Sequence, residues 1–439
     1  MKRSKKLSSG KILVLSLFLI ISVSLAFGFR DVLKGAAANP IAKDEDLPMA
    51  LNLLLSNELS DFPETKKLDG QIERFMREWR IKGASLAIMK DEKLIYTKGY
   101  GWADEEMNVK VEPRHIFRIA SVSKLITAVG IMKLIEDDSI SLKSKVFGEG
   151  GILDLPQFQN ISDKRIKSIT IEDLLRHRGG FTLGAGDPMF ITTTISKRMS
   201  LDSVPSSDDV IEYAISRKLG FAPGNGTRYS NLGYVILSRV IEQVSGKSYE
   251  DYIKERILNP AGIYDMHLAH NLYSQKFPNE VRYYEPENEV PVEAFDGSGA
   301  MLPRCYGGNN IEGLMGAGAW VASPSELLLF VASIDGRPDI PDIINEKSID
   351  IMTTSTSQIL PIGWAKVNKN GDWSRTGTLS GSSALLKYQR DGISWVFITN
   401  TSSWKGSTFP RQIDAMFRKS ASKVSQWPKR DLFELKTQQ

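Results

Sequence analysis

The chain has 439 residues, 41% apolar and 25% charged, the proportions of a globular protein with a large core. Its formal charge of +4 is set at the N-terminus: Lys2, Arg3, Lys5, Lys6 and Lys11 precede an apolar run, and without them 51 basic residues face 52 acidic ones. That balance excludes an electrostatic nucleic-acid binder, and the single cysteine, Cys305, excludes an intrachain disulfide framework.

Ile12 to Phe29 carries no charge. A basic start before such a run reads as a secretory signal, with small-residue cleavage sites at Ser24-Leu25-Ala26 and Ala36-Ala37-Ala38. The alternative is an uncleaved anchor, because the run approaches the ~20 residues that span a bilayer. Either way the bulk of the chain is expected to be exported, periplasmic or extracellular, and the uncleaved form would contact the membrane through residues 12–29. Residues 27–60 read as a linker with a helical piece around Met49–Asn57. Residues 61–425 read as one domain, and 426–439 as a tail.

Leu68, Ile72, Phe75, Met76 and Trp79 stand at helical spacing, and Gly83 ends that helix. Ala84–Met89 and Lys93–Gly101 read as a hairpin turned at Lys90-Asp91-Glu92. A helix follows Ser121, with Leu125, Val129, Met132, Leu134 and Ile135 as its expected buried stripe. Thr170–Leu175 reads as a short capped helix and about 182–207 as a polar loop. Helices are expected at Asp208–Lys218, Leu232–Val244, Tyr249–Leu258 and Pro324–Ile334. Trp373–Thr378, Ser383–Tyr388 and Ile393–Asn400 are β-rich, and a last helix lies near Gln412–Ser422. Strands at both ends of a mostly helical middle predict an α+β fold: one antiparallel sheet flanked by helices, with a mainly helical subdomain inserted.

Three motifs carry chemistry. Ser121 and Lys124, three apart at a helix start, share a face, so the amine can serve as base for the hydroxyl. Ser-x-x-Lys also occurs at Ser8–Lys11, Ser402–Lys405 and Ser420–Lys423, so the spacing alone says little. Tyr229-Ser230-Asn231 is the one Tyr-x-Asn in the chain. In an extended segment its phenol and amide point one way; Asn231 also suits the cap of the next helix. Arg375-Thr376-Gly377-Thr378 puts a cation and hydroxyls on a strand, fit for a substrate carboxylate, with Gly377 allowing close backbone approach. The pair His267 and His270 has no further ligands nearby, so neither a metal nor a cofactor is expected.

In this order the motifs resemble the serine β-lactamase and penicillin-binding superfamily, in the branch of class C β-lactamases, D-alanyl-D-alanine carboxypeptidases and related esterases. Leu174 to Phe181, Met315 to Trp320 with Ser323, and Ile398-Thr399-Asn400 resemble further segments of that branch. The resemblance implies that Ser121 forms an acyl-enzyme, that Lys124 and Tyr229 share the proton, and that Asn231 positions the substrate. It implies an oxyanion hole from the N–H groups of Ser121 and Thr378, and a carboxylate contact from Arg375 and Thr376. Arg375 departs from the usual Lys or His; it keeps a charge but cannot relay a proton. Leu379-Ser380-Gly381 and Arg178-Gly179 depart as well. The expected substrate is a small ester, a peptidoglycan-type D-amino-acid amide or a β-lactam. A Ser-His-Asp hydrolase fits poorly, with four histidines and no Gly-x-Ser-x-Gly step. A non-catalytic sensor or scaffold using the same cleft is the alternative of a different class.

Overall fold

The computed structural model describes residues 48–438 apart from 182, 183 and 185; the expected signal or anchor at 12–29 lies outside them. Two groups of strands far apart in the chain build one seven-stranded sheet. The first group is β1 (Gly83–Lys90), β2 (Lys93–Asp104) and β3 (Val109–Lys110). The second is β4 (Lys366–Val367), β5 (Trp373–Leu379), β6 (Ser382–Tyr388) and β7 (Ile393–Thr399). Their order is β3-β2-β1-β7-β6-β5-β4. The groups join where β1 runs antiparallel to β7, from Ala84 opposite Thr399 to Lys90 opposite Ile393. The β1–β2 turn uses Asp91 and Glu92 at φ 51° and 55°, the left-handed geometry that suits a tight hairpin.

Five helices matter here: α1 (Lys66–Glu78), α2 (Ser123–Glu136), α3 (Asn231–Ser245), α4 (Pro324–Ala332) and α5 (Pro410–Ala421). Side chains alternate across the sheet with period two. Leu86, Ile88, Trp395 and Phe397 pack in one apolar layer with Leu68, Ile72 and Phe75 of α1 and Ile413 and Phe417 of α5. Ala87, Met89, Val396 and Ile398 join the larger layer that includes α2, α3 and α4. Each such buried side chain contributes about 1.5–3 kcal/mol. The α+β architecture and the mainly helical insertion between the strand groups are those expected.

The structure departs from the sequence reading in three places. Helix α2 has no apolar stripe: Ser123 through Met132 are all buried, because helices and turns surround it. The expected polar loop at 182–207 contains a helix, Thr192–Met199, anchored by buried Ile195. The described residues of the segments read as linker and tail, from residue 48 on in the linker, also pack on the domain. Leu51 and Leu55 are buried in the core, as are Leu432 and Phe433, and the Leu432 N–H donates to the Leu94 carbonyl at 2.8 Å. Short apolar pairs of this kind carry no periodicity, so only the surface they cover reveals them.

Candidate active site

Ser121 sits on a 3₁₀ turn, Ala120–Val122, that leads into α2. Ala120 is held at φ 49°, a left-handed conformation costing an alanine about 1–2 kcal/mol. Three contacts hold the turn in place. The Ile119 N–H donates to the Trp320 carbonyl at 3.0 Å, the Ser382 hydroxyl donates to the Arg118 carbonyl, and β5 passes close beneath. A Cβ on Gly377 would lie 2.1 Å from the Ile119 carbonyl oxygen. Gly377 is therefore required by the serine turn.

Lys124 is fully buried below Ser121. Its Nζ donates to Asn231 Oδ1 at 2.7 Å, to the Ala317 carbonyl at 2.5 Å and to Ser121 Oγ at 3.3 Å, which accounts for all three protons of an ammonium. Burial is the main cause that lowers its pKa; Tyr229 opposes this, and the Arg375 cation adds to it. Tyr229 Oη lies 2.6 Å from Ser121 Oγ. Burial of the hydroxyl end pushes its pKa up, but Lys124 and Arg375 outweigh that and bring it down to about 8. Its ring edge stands in the cleft, leaving the residue 45% exposed.

Asn231 is not the cap of α3. Ser230 caps that helix, accepting from the Gly233 N–H at 3.0 Å, which leaves the Asn231 side chain to the site. Two residues absent from the expected site hold its parts. Asp187 Oδ2 accepts from Asn231 Nδ2 at 2.7 Å and so fixes the amide with its oxygen toward Lys124. The one local signal at Asp187 is Asp-Pro at a turn, where it also accepts from the Met189 N–H. His177 packs behind Tyr229, with ring centroids 4.6 Å apart, and its Nδ1 accepts from the Ser230 N–H at 3.3 Å. Burial, with Arg375 and Lys124 nearby, keeps its pKa well below the usual value, so it is a neutral imidazole.

The third motif lies on β5, whose outer neighbour β4 pairs only with Trp373 and Ser374. The Ser374 carbonyl accepts from the Ala365 N–H, so it points to the β4 side. Backbone direction alternates along a strand, which turns the N–H and C=O of Thr376 and Thr378 toward the same, open edge. This edge faces Ser121 across a cleft of about 470 Å³. Arg375 and Thr376 both line this cleft, on opposite faces of the strand. Arg375 lies opposite Leu386 and Thr376 opposite Leu385, and those leucines belong to the two different apolar layers. Arg375 is 4% exposed, and its Nε donates to the Ser121 carbonyl at 2.8 Å. Its Nη2 is buried and has no hydrogen-bond partner among the described residues. Thr378 Oγ1 is buried and has no hydrogen-bond partner among the described residues. A larger hollow of about 1180 Å³, lined by Trp79, Trp102 and Trp404 among others, contains none of the motif residues.

The arrangement therefore places a hydroxyl, a phenol of lowered pKa, a buried amine and an open strand edge around one point. Such a set can deliver an oxygen nucleophile to a carbonyl and stabilise the resulting oxyanion. Protein flp of Staphylococcus aureus is 30% identical over 234 residues, 52% of this chain and 42% of that protein. Esterase EstB of Burkholderia gladioli is 28% identical over 246 residues, 55% of this chain and 60% of the esterase. The chain thus spans less than two thirds of the length of either relative. The D-amino acid amidase from Ochrobactrum anthropi SV3, solved with D-phenylalanine, superposes with a TM-score of 0.62 at 21% identity, over 82% of this chain and 99% of the amidase. That likeness is one of fold. The family model described as Beta-lactamase matches residues 68–415, a span that holds all three motifs and the whole sheet, and the chain belongs to that family.

Proposed function

We propose that this protein is a serine hydrolase that works through an acyl-enzyme on Ser121. The observation that carries the reading is the short hydrogen bond between Ser121 Oγ and Tyr229 Oη, with Lys124 beneath both and the β5 edge opposite. Ser121 Oγ attacks an ester or amide carbonyl, and its proton passes to the Tyr229–Lys124 pair. The N–H groups of Ser121 and Thr378 receive the oxyanion, with help from the positive end of α2. The same proton then goes to the leaving alcohol or amine. Water attacks the acyl-enzyme, gives up a proton to the same pair, and releases the acid with Ser121 restored. Asn231, held by Asp187, keeps Lys124 aimed at Ser121 and presents its amide to the substrate. Asp187 and His177 act through Asn231 and Tyr229 and are positioning residues.

The names of the relatives, an esterase and a D-amino acid amidase, support a small ester or amino-acid amide as substrate. Residues 12–29 support export, with the domain outside the cytoplasm. A fluorophosphonate probe tests the nucleophile. Wild type should label and hydrolyse p-nitrophenyl esters. Ser121→Ala should do neither while keeping its circular dichroism and melting temperature. A wild type that neither labels nor turns over any ester or amide would sink this reading and favour a binding-only protein.

A further inference from the structure

The cleft does not end at the edge of β5. A second hollow of about 500 Å³ adjoins it, and Thr376 and Ser407 line both. Strand pairing explains the junction. β4 pairs with β5 only at Trp373 and Ser374, so beyond Ser374 the edge is free for a substrate chain to run along it. Side chains two apart on a strand share a face, so Thr376 stands on the face of Ser374. Lys366 of β4 and Lys387 of β6 lie directly opposite Ser374, which brings both lysines to that face as well. Leu385, opposite Thr376, packs in the layer that holds α5, and Arg411 of α5 joins the wall.

The charges of this hollow are unequal. Asp414 is taken twice, by Lys387 at 2.8 Å and by Arg418 at 3.1 Å. Lys366 and Arg411 are exposed and form no ion pair among the described residues. The other carboxylate is Asp372, whose Oδ2 accepts from Asn368 Nδ2 at 2.9 Å within its own turn. Two unpaired cations against one carboxylate, with the Thr376 and Ser407 hydroxyls at the junction, form a place for an anionic group. Its distance from the chemistry follows from the strand. At about 3.3 Å per residue, the Thr378 N–H lies ~7 Å from the level of Thr376 and ~13 Å from that of Ser374 and Lys366. An extended chain covers about 1.2 Å per bond.

We infer, building on the acyl-enzyme reading, that this hollow is an anion subsite of the cleft: the substrate carries a negative group about six to eleven bonds from the reacting carbonyl, and Lys366 and Arg411 receive it. The Arg375 guanidinium, with its unpartnered Nη2, lines the cleft and not this hollow, so a shorter substrate reads it separately.

Two series of paired substrates test the inference. p-Nitrophenyl half-esters of dicarboxylic acids place the anion on the acyl side, and phenylacetyl thioesters of ω-mercapto acids place it on the leaving side. Each acid is compared with its methyl ester of the same length, with kcat/KM read from nitrophenol or thiol release after correction for reactivity with hydroxide. In one of the two series the acid should be preferred about fivefold at about nine bonds, and Lys366→Gln with Arg411→Gln should bring that ratio to about one. At about four bonds the carboxylate reaches only the cleft and Arg375, and the double variant should keep the wild-type ratio. A wild-type ratio below about twofold at every length from about six to eleven bonds, in both series, overturns the inference whether or not the variant folds. So does a double variant with wild-type circular dichroism that keeps the wild-type preference at about nine bonds. Failure of the acyl-enzyme reading looks different: no member of either series is hydrolysed, acid or methyl ester, or Ser121→Ala hydrolyses them as wild type does.

Discussion

Replacing Arg375 with methionine removes a cation beneath the nucleophile while keeping an unbranched side chain. The guanidinium adds to burial in lowering the Lys124 pKa, and with Lys124 it brings Tyr229 down to about 8. A base titrating near that value is ionised in about one molecule in ten at pH 7. Acylation by wild type should therefore rise about tenfold between pH 7 and pH 9 and then level off. Without Arg375, the Tyr229 phenolate loses one of two stabilising cations, and the Lys124 ammonium loses a repelling neighbour. Both pKa values move up, so the acid limb of the profile moves to higher pH. A nearby charge shifts a pKa by about one unit or more, which is ~1.4 kcal/mol and a tenfold loss of rate at pH 7. Arg375→Lys keeps the charge but loses the Nε hydrogen bond to the Ser121 carbonyl. It should lower the plateau and leave the midpoint near its wild-type place. The assay is the pseudo-first-order rate of fluorophosphonate labelling between pH 6 and pH 10, read beside an ester burst. A methionine variant whose midpoint stays where wild type has it refutes the assigned role of Arg375.

Asp187→Ala leaves Asn231 Nδ2 without its acceptor and frees the amide to turn from Lys124. A charge-assisted hydrogen bond is worth about 1.5–3 kcal/mol, so kcat on an ester should fall at least tenfold with KM little changed, and Asp187→Glu should restore part of it. An unchanged kcat would remove Asp187 from the site. Gly377→Ala drives a methyl group onto the Ile119 carbonyl, with an overpacking cost of about 1–3 kcal/mol in urea denaturation and a loss of acylation as the Ser121 turn shifts. A variant with wild-type stability and activity would show that β5 and the serine turn are not in such close contact. Asp335 is buried, which raises its pKa to about 7 from an ordinary 3.8. An acid whose folded pKa is raised costs stability as pH climbs through that window and goes on costing it above, by up to ~4 kcal/mol at 1.36 kcal/mol per unit. Asp335→Asn should thus raise the melting temperature at pH 8 and leave it nearly unchanged at pH 4; equal effects at both pH values would contradict the assignment.

The parts of this protein that can be read in the sequence are those whose cause is local. The hairpin turn at Asp91–Glu92, the Thr170 cap with Asp173, and the helix from Asn231 to Gly246 each arise within a few residues, and each lies near its expected place. The α+β arrangement follows from which elements come first and last. The three motifs are likewise local in spelling, and their order along the chain points to one site.

What the sequence could not determine are directions and distances between segments tens to hundreds of residues apart. Asp187 meets Asn231, and Arg375 reaches the Ser121 carbonyl, across 44 and 254 positions. No periodicity records such meetings. The strand carrying Arg375 and Thr376 was legible, yet the layer each residue's cross-strand neighbour joins depends on what packs against the sheet. Helix α2 looked amphipathic until its neighbours enclosed it on all sides. By itself the sequence determined the family, most of the elements and the three motifs that meet at the cleft. Only the tertiary structure decided how they meet, because burial lowers the pKa of Lys124 and the cations of Lys124 and Arg375 lower that of Tyr229, and both depend on the packed chain.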